Sequence, residues 1–165
     1  MRERISALLI YQHPSTLGGL HLMLESSGIE VSTAHTCGDA LLRLWSESPP
    51  HLVFTESQLL DGIWADVLSM THKSRLPVNV IVVSRIADVN LYVQVLERGG
   101  FDFIVPPFEV SELEHIVRCA TDNILAQRSR RQAGAIAAIE AVRRNPPSRE
   151  EEPLIDDDLQ AAPAL

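Results

Sequence analysis

His13 and Glu56 are the two side chains best placed to start chemistry, because each stands at the end of an apolar run. Ser84 and Arg85 end a third such run, and Pro106 and Pro107 close a fourth. A histidine beside a glutamate can open a transition-metal site, but that chemistry needs a third ligand. The alternative is a hydrogen-bonded histidine at a strand end. Arg85 either folds over the crevice to pair bidentately with Glu56 or stands as an exposed loop arginine worth little. Cys37 and Cys119 lie far apart and match no metal spacing. They read as two reduced thiols packed in a cytosolic protein.

The elements that must position these groups follow from periodicity. Residues 5–11 are almost continuously apolar, as in a strand buried on both faces. Leu17, Leu20 and Leu24 recur at helical spacing and Gly28 stops that helix. Residues 29–34 alternate as a second strand. Ala40, Leu41, Leu44 and Trp45 mark a second helix, residues 52–55 a third strand, Asp61-Gly62 a turn, and Val67, Leu68 and Met70 a short third helix. Residues 78–83 are the most β-branched run in the chain and predict a central strand. A helix over 89–98 places Tyr92, Val95 and Leu96 inward, and Gly99-Gly100 closes it. Residues 101–105 form a fifth strand. Ser111 and Glu114 have the spacing of a capping box at the head of a last helix that buries Leu113, Ile116, Val117, Ala120 and Ile124.

Five alternations of strand and helix predict an α/β fold: a doubly wound five-stranded parallel sheet joined by right-handed crossovers. In such sheets the working crevice lies at the carboxyl ends of the strands. That rule gathers Tyr11, Gln12, His13, Glu56, Ser84, Arg85 and Pro106 into one region.

The order of these landmarks resembles a response-regulator receiver domain of the chemotaxis type, over about residues 4–127, with the flavodoxin-like receiver fold that this implies. The segments that carry it are 28–31 with Ala34 and Ala40-Leu41, then 50–55, then 77–84, then 96–108. The resemblance implies an acidic pair at the end of the first strand, where this chain reads Tyr11-Gln12-His13. It implies a phosphoacceptor aspartate where Glu56 stands and a lysine where Pro106 stands. Ser84 keeps the family's hydroxyl and Phe103 its signalling aromatic. Magnesium takes oxygen ligands and usually one or two carboxylates, and imidazole suits softer metals. The departures are consistent in charge: with the acidic pair gone, neither metal nor lysine is electrostatically required. They imply a degenerate pseudo-receiver with no catalytic residue, no metal and no cofactor. Glu56 is then either a partial mimic of a phosphorylated aspartate or a partly solvated acid in a vestigial crevice. Family geometry also implies a cis Pro106-Pro107 peptide.

The C-terminal region changes composition. Residues 128–145 carry Arg128, Arg130, Arg131, Arg143 and Arg144 against Glu140, with Ala135, Ile136, Ile139 and Val142 at helical spacing. They predict a basic helical extension, softly interrupted at 128–131 and at Gly134. Residues 146–165 hold two acidic triplets and read as a disordered tail. The net charge of −8 disfavours nucleic acid and anionic membrane, and no apolar stretch is long enough to span a bilayer. The reading is a cytoplasmic, phosphorylation-independent interaction module with three parts, 1–127, 128–145 and 146–165. A protein partner would use the face of the fourth helix, fifth strand and fifth helix, with Tyr92 and Phe103, and a homodimer would use the C-terminal helix. Two alternatives stay open: a conventional response regulator with residual phosphotransfer at Glu56, and nucleic-acid contact through the arginine-rich extension.

Overall fold

A computed structural model describes residues 4–146. Five parallel strands form one sheet: β1 (Ser6–Ile10), β2 (Glu30–Ala34), β3 (Leu52–Glu56), β4 (Asn79–Val83) and β5 (Asp102–Ile104), in the order β2-β1-β3-β4-β5. The central strands β3 and β4 are buried along their whole length. This explains why residues 52–54 and 80–83 read as apolar runs rather than alternating ones. A two-rung antiparallel hairpin, Gln58–Leu59 with Gly62–Ile63, follows β3 around the Asp61-Gly62 turn.

Helices cover both faces. On one face α1 (Pro14–Ser26) and α5 (Val110–Arg144) bury Leu17, Leu20 and Leu24, and Leu113, Val117, Ala120 and Ile124, against Leu9, Phe54 and Ile81. On the other, α2 (Cys37–Leu44), α3 (Trp64–His72) and α4 (Val89–Glu97) close over Leu8, Ile10, Val53, Val80 and Val82. Each fully buried aliphatic side chain contributes about 1.5–3 kcal/mol of transfer free energy. Alternate residues of one strand therefore feed two cores. Gly28 ends α1 with φ of 76°, a conformation that a side chain would strain.

Several expectations need correction. Of the three α4 residues expected inward only Val95 is buried, while Tyr92 and Leu96 are 41% and 39% exposed. α4 lies against the three-residue edge strand β5, so one row of side chains finds sheet beneath it. Trp45, expected within the second helix, caps the end of α2: it is half exposed, and its indole N–H donates to the Met70 carbonyl. The last helix starts at Val110, with the Leu113 N–H bonded to the Glu109 carbonyl, so Ser111 lies inside the first turn and not at the cap. That helix also runs unbroken to Arg144. No interruption occurs at 128–131, where the Arg128 side chain turns inward and is buried. The first compact unit ends at Arg131 and the second begins at Gln132, within α5. The acidic tail expected from residue 146 onward falls, beyond that residue, outside the described residues. Among the described residues no helix is long and apolar enough to cross a membrane.

Candidate functional site

The carboxyl ends of β1, β3 and β4 open into a crevice of about 170 Å³. Gln12, His13, Glu56, Ser84 and Arg85 all line it, so five of the seven residues expected there meet. Tyr11 and Pro106 do not line it. Tyr11 leaves β1 toward β2: its N–H bonds the Ala34 carbonyl and its ring meets His35 edge-on at 5.0 Å. Pro106 stands after β5 in a cis peptide with Pro107, as the family geometry implies.

Glu56 is the buried centre of the crevice, with 6% of its surface exposed. One carboxylate oxygen, Oε2, accepts the Gln12 backbone N–H at 2.8 Å. The other, Oε1, is buried and has no hydrogen-bond partner among the described residues. Such a group costs free energy relative to its solvated state. Arg85, the cation that could answer it, is exposed and makes no ion pair with Glu56. The expected bidentate cap is therefore absent from this arrangement. Ser84 is buried and its Oγ accepts the Ile86 N–H at 3.3 Å, which turns the hydroxyl toward its own loop. His13 is exposed at the head of α1 and makes no side-chain cap bond.

Below this crevice the loop after β3 is held from two sides. Asp61 accepts from the N–H groups of Cys37 at 2.7 Å and Gly38 at 3.2 Å, which caps the first turn of α2 from another element. Those two N–H donors hold its carboxyl below the usual range. Asp66 accepts the Ile63 N–H at 2.9 Å and starts α3. Gly62 sits close between them: a Cβ there would fall 2.8 Å from both Cys37 Sγ and Asp66 Oδ2, so one or both side chains would have to shift. Burial first, then the charges of Asp61 and Asp66, push the Cys37 thiol up to about 11.

The donor set does not fit a magnesium ion. Among the described residues Glu56 is the single carboxylate lining the crevice, and its neighbours Gln12 and His13 bring one amide and one imidazole. Among the described residues no three histidine, cysteine or acidic side chains come together to share a metal, so the His13–Glu56 pair gains no third ligand. Between α4 and β5 Tyr92 meets Phe103 edge-to-face at 6.1 Å.

The response regulator receiver domain family matches residues 7–118. The chain belongs to this family. The receiver is 33% identical over 95 residues to the regulatory protein AtoC of Escherichia coli, covering 56% of this chain and 20% of that protein. It is 26% identical over 129 residues to the nitrogen assimilation regulatory protein NtrX of Azorhizobium caulinodans, covering 76% and 28%. It therefore spans between a fifth and a third of the length of these relatives. Among solved structures, a CheY-like receiver domain protein from Methanospirillum hungatei superposes with a TM-score of 0.66 at 23% identity, over 75% of this chain and 98% of that one.

Sequence reasoning missed three positions that shape the receiver: Asp61 as a cap for α2, His51, and Arg128. Asp61 was legible only as half of a turn signal. His51 is buried, with its Nδ1 bonded to Ser6. Arg128 sends Nε to the Pro77 carbonyl and an η-nitrogen to the carbonyls of Pro49 and Pro50. Its signal was present: it falls on the same helical row as Val117, Ala120 and Ile124, though its charge argues for the surface.

Proposed function

We propose that this receiver works without phosphorylation, as a signalling module that recognises a protein partner. The observation that carries the reading is the crevice's donor set: one buried glutamate whose bonded oxygen is held by a backbone N–H, with no carboxylate at 11–13 and proline at 106. Phosphoryl transfer needs its developing charge stabilised in place by preorganised cations. Arg85 alone is a poor substitute, because it sits in solvent. The test is treatment of the full chain with acetyl phosphate and magnesium, followed by intact mass measurement. The mass stays unchanged. A gain of one phosphate that disappears in Glu56→Gln would establish the conventional regulator instead.

The partner face in this reading is that of α4, β5 and α5. Tyr92 and Val93 are exposed there beside Phe103, a mixture of aromatic and aliphatic surface that protein partners bury. A second contact is a homodimer through the end of α5, where Ile136, Ile139 and Val142 are more than half exposed on one helical row. Sedimentation of the full chain should report a dimer that dissociates in Ile139→Lys. A monomer in both removes the dimer.

A further inference from the structure

The buried acid of the crevice has one oxygen left over. Glu56 is 6% exposed, its Oε2 accepts the Gln12 N–H, and its Oε1 has no hydrogen-bond partner among the described residues. The cavity that Glu56 lines measures about 170 Å³. We infer that this cavity binds a primary ammonium group on a short alkyl chain, as at the end of a lysine side chain or of a free amine. The inference rests on the reading of Glu56 as an unphosphorylated acid, and the two fail separately: phosphorylation changes the mass, whereas amine binding changes only resonances.

Electrostatics is the first argument. A buried carboxylate with an unmet oxygen gains most from a cation that also donates hydrogen bonds. Arg85 lines the rim but is exposed and makes no ion pair with Glu56. The kind of cation is the second argument. A guanidinium fork pairs with both oxygens of a carboxylate, and here Oε2 is already held by the backbone. An ammonium is a compact charge whose donors rotate to suit single acceptors. One donor meets Oε1, and the side-chain oxygens of Gln12, Ser57 and Gln58 on the same wall suit the others. The size is the third argument. The cavity has room for roughly six water-sized groups, enough for a butyl chain and its nitrogen and too little for a nucleotide. Val83 and Ile86 give the carbons an apolar wall. Access is the fourth. The mouth is ringed by exposed His13, Gln58 and Arg85, and exposed side chains change rotamer within nanoseconds, so a ligand reaches the acid without moving the sheet.

The experiment titrates butylammonium chloride into the isotope-labelled full chain at neutral pH, with ionic strength held constant by potassium chloride, while amide resonances are followed. Shifts should centre on Gln12, Ser57 and Ser84, with a dissociation constant of about 1–10 mM. Butyltrimethylammonium has the same charge and no N–H donor, and should bind about tenfold more weakly. Glu56→Gln keeps an oxygen for the Gln12 N–H and loses the charge, and should weaken butylammonium about tenfold or more. Arg85→Ala removes a like charge from the rim and should tighten binding about two- to threefold. No shifts at tens of millimolar, equal affinity for the two ammonium ions, or unchanged affinity in Glu56→Gln would each overturn the site. Binding seen only in Arg85→Ala would identify Arg85 as the occupant and overturn it too. A last arm separates the two sources of the amine with the peptide acetyl-leucyl-lysyl-leucine amide. Binding about tenfold tighter than butylammonium, with the gain lost in Ile86→Ser, assigns the site to the lysine of a protein partner seated against Ile86, which is 73% exposed. Equal affinity assigns it to a free amine.

Discussion

The two ends of the sheet treat buried charge in opposite ways. At the carboxyl end, Glu56 is 6% exposed and has one oxygen bonded and the other without a donor. At the amino end, Arg128 is 8% exposed and its guanidinium reaches three backbone carbonyls on two loops. The strands between them are the same, so the difference lies in the loops. Proline-bearing turns at 49–50 and 77 present carbonyls to the amino end, whereas the loops after β1 and β4 bring one N–H and an exposed arginine to the carboxyl end. A buried charge is stabilising only where its hydrogen-bonding capacity is met. The amino end is therefore built as structure. The carboxyl end keeps a pocket whose central acid is under-satisfied.

The largest effect that can break this comparison is at Arg128. Arg128→Ala keeps helix propensity in α5 and strips donors from the carbonyls of Pro49, Pro50 and Pro77. It should cost roughly 3 kcal/mol in urea unfolding. Arg130→Ala, two residues on and exposed, should stay within about 0.5 kcal/mol. Equal effects would mean that Arg128 is no better held than a surface arginine, and the contrast between the two ends would fail.

That pair of arginines also marks how far the fold and site were legible in sequence. All five strands were, the two central ones because a strand buried on both faces is mostly apolar, as 52–54 and 80–83 are. The crevice was legible because strand ends in a parallel sheet converge, and five of its residues do meet at the surface of one pocket. Arg128 was not, because composition assigns an arginine among arginines to solvent, and only the position of the carbonyls at 49, 50 and 77 draws it inward. Tyr92 and Leu96 failed for the complementary reason. Periodicity reports which residues share a helix face but not how much sheet lies beneath that face, and β5 is three residues long.

A smaller effect, of opposite sign, is expected at the crevice. Glu56→Gln keeps an oxygen for the Gln12 N–H and removes a buried charge with an unmatched oxygen. It should stabilise the receiver by about 1 kcal/mol. Arg85→Ala should change little, within about 0.5 kcal/mol. A double-mutant cycle decides whether the two side chains pair in solution. Coupling near zero agrees with the exposed Arg85. A coupling above about 1 kcal/mol would mean that Arg85 closes over Glu56 after all, and the two ends of the sheet would be alike.

The smallest effect sharpens the comparison inside the carboxyl end itself. Five residues after Glu56, Asp61 has both oxygens occupied, Oδ1 by the Cys37 N–H and Oδ2 by the Gly38 N–H. These bonds favour the charged form and hold the carboxyl below its usual range. The folded pKa is thus below the unfolded one. The contribution to stability is fully present above the unfolded carboxylate range and is lost as pH falls through the folded value. The same loop acts on Cys37 with the other sign. Burial, with Asp61 and Asp66 nearby, pushes its thiol up to about 11, so its contribution is complete below the ordinary thiol range and is lost as pH rises toward about 11. Asp61→Asn should flatten the acid limb of the stability profile and also lower the Cys37 thiol, because one repelling charge is gone. Thiol labelling at mildly alkaline pH reads the second effect directly: exposed Cys119 reacts first in both proteins, and Cys37 reacts faster in Asp61→Asn than in the parent. If the acid limbs coincide and Cys37 labels at the same rate in both, Asp61 is a solvated turn residue, and the whole carboxyl end is as loosely held as Glu56.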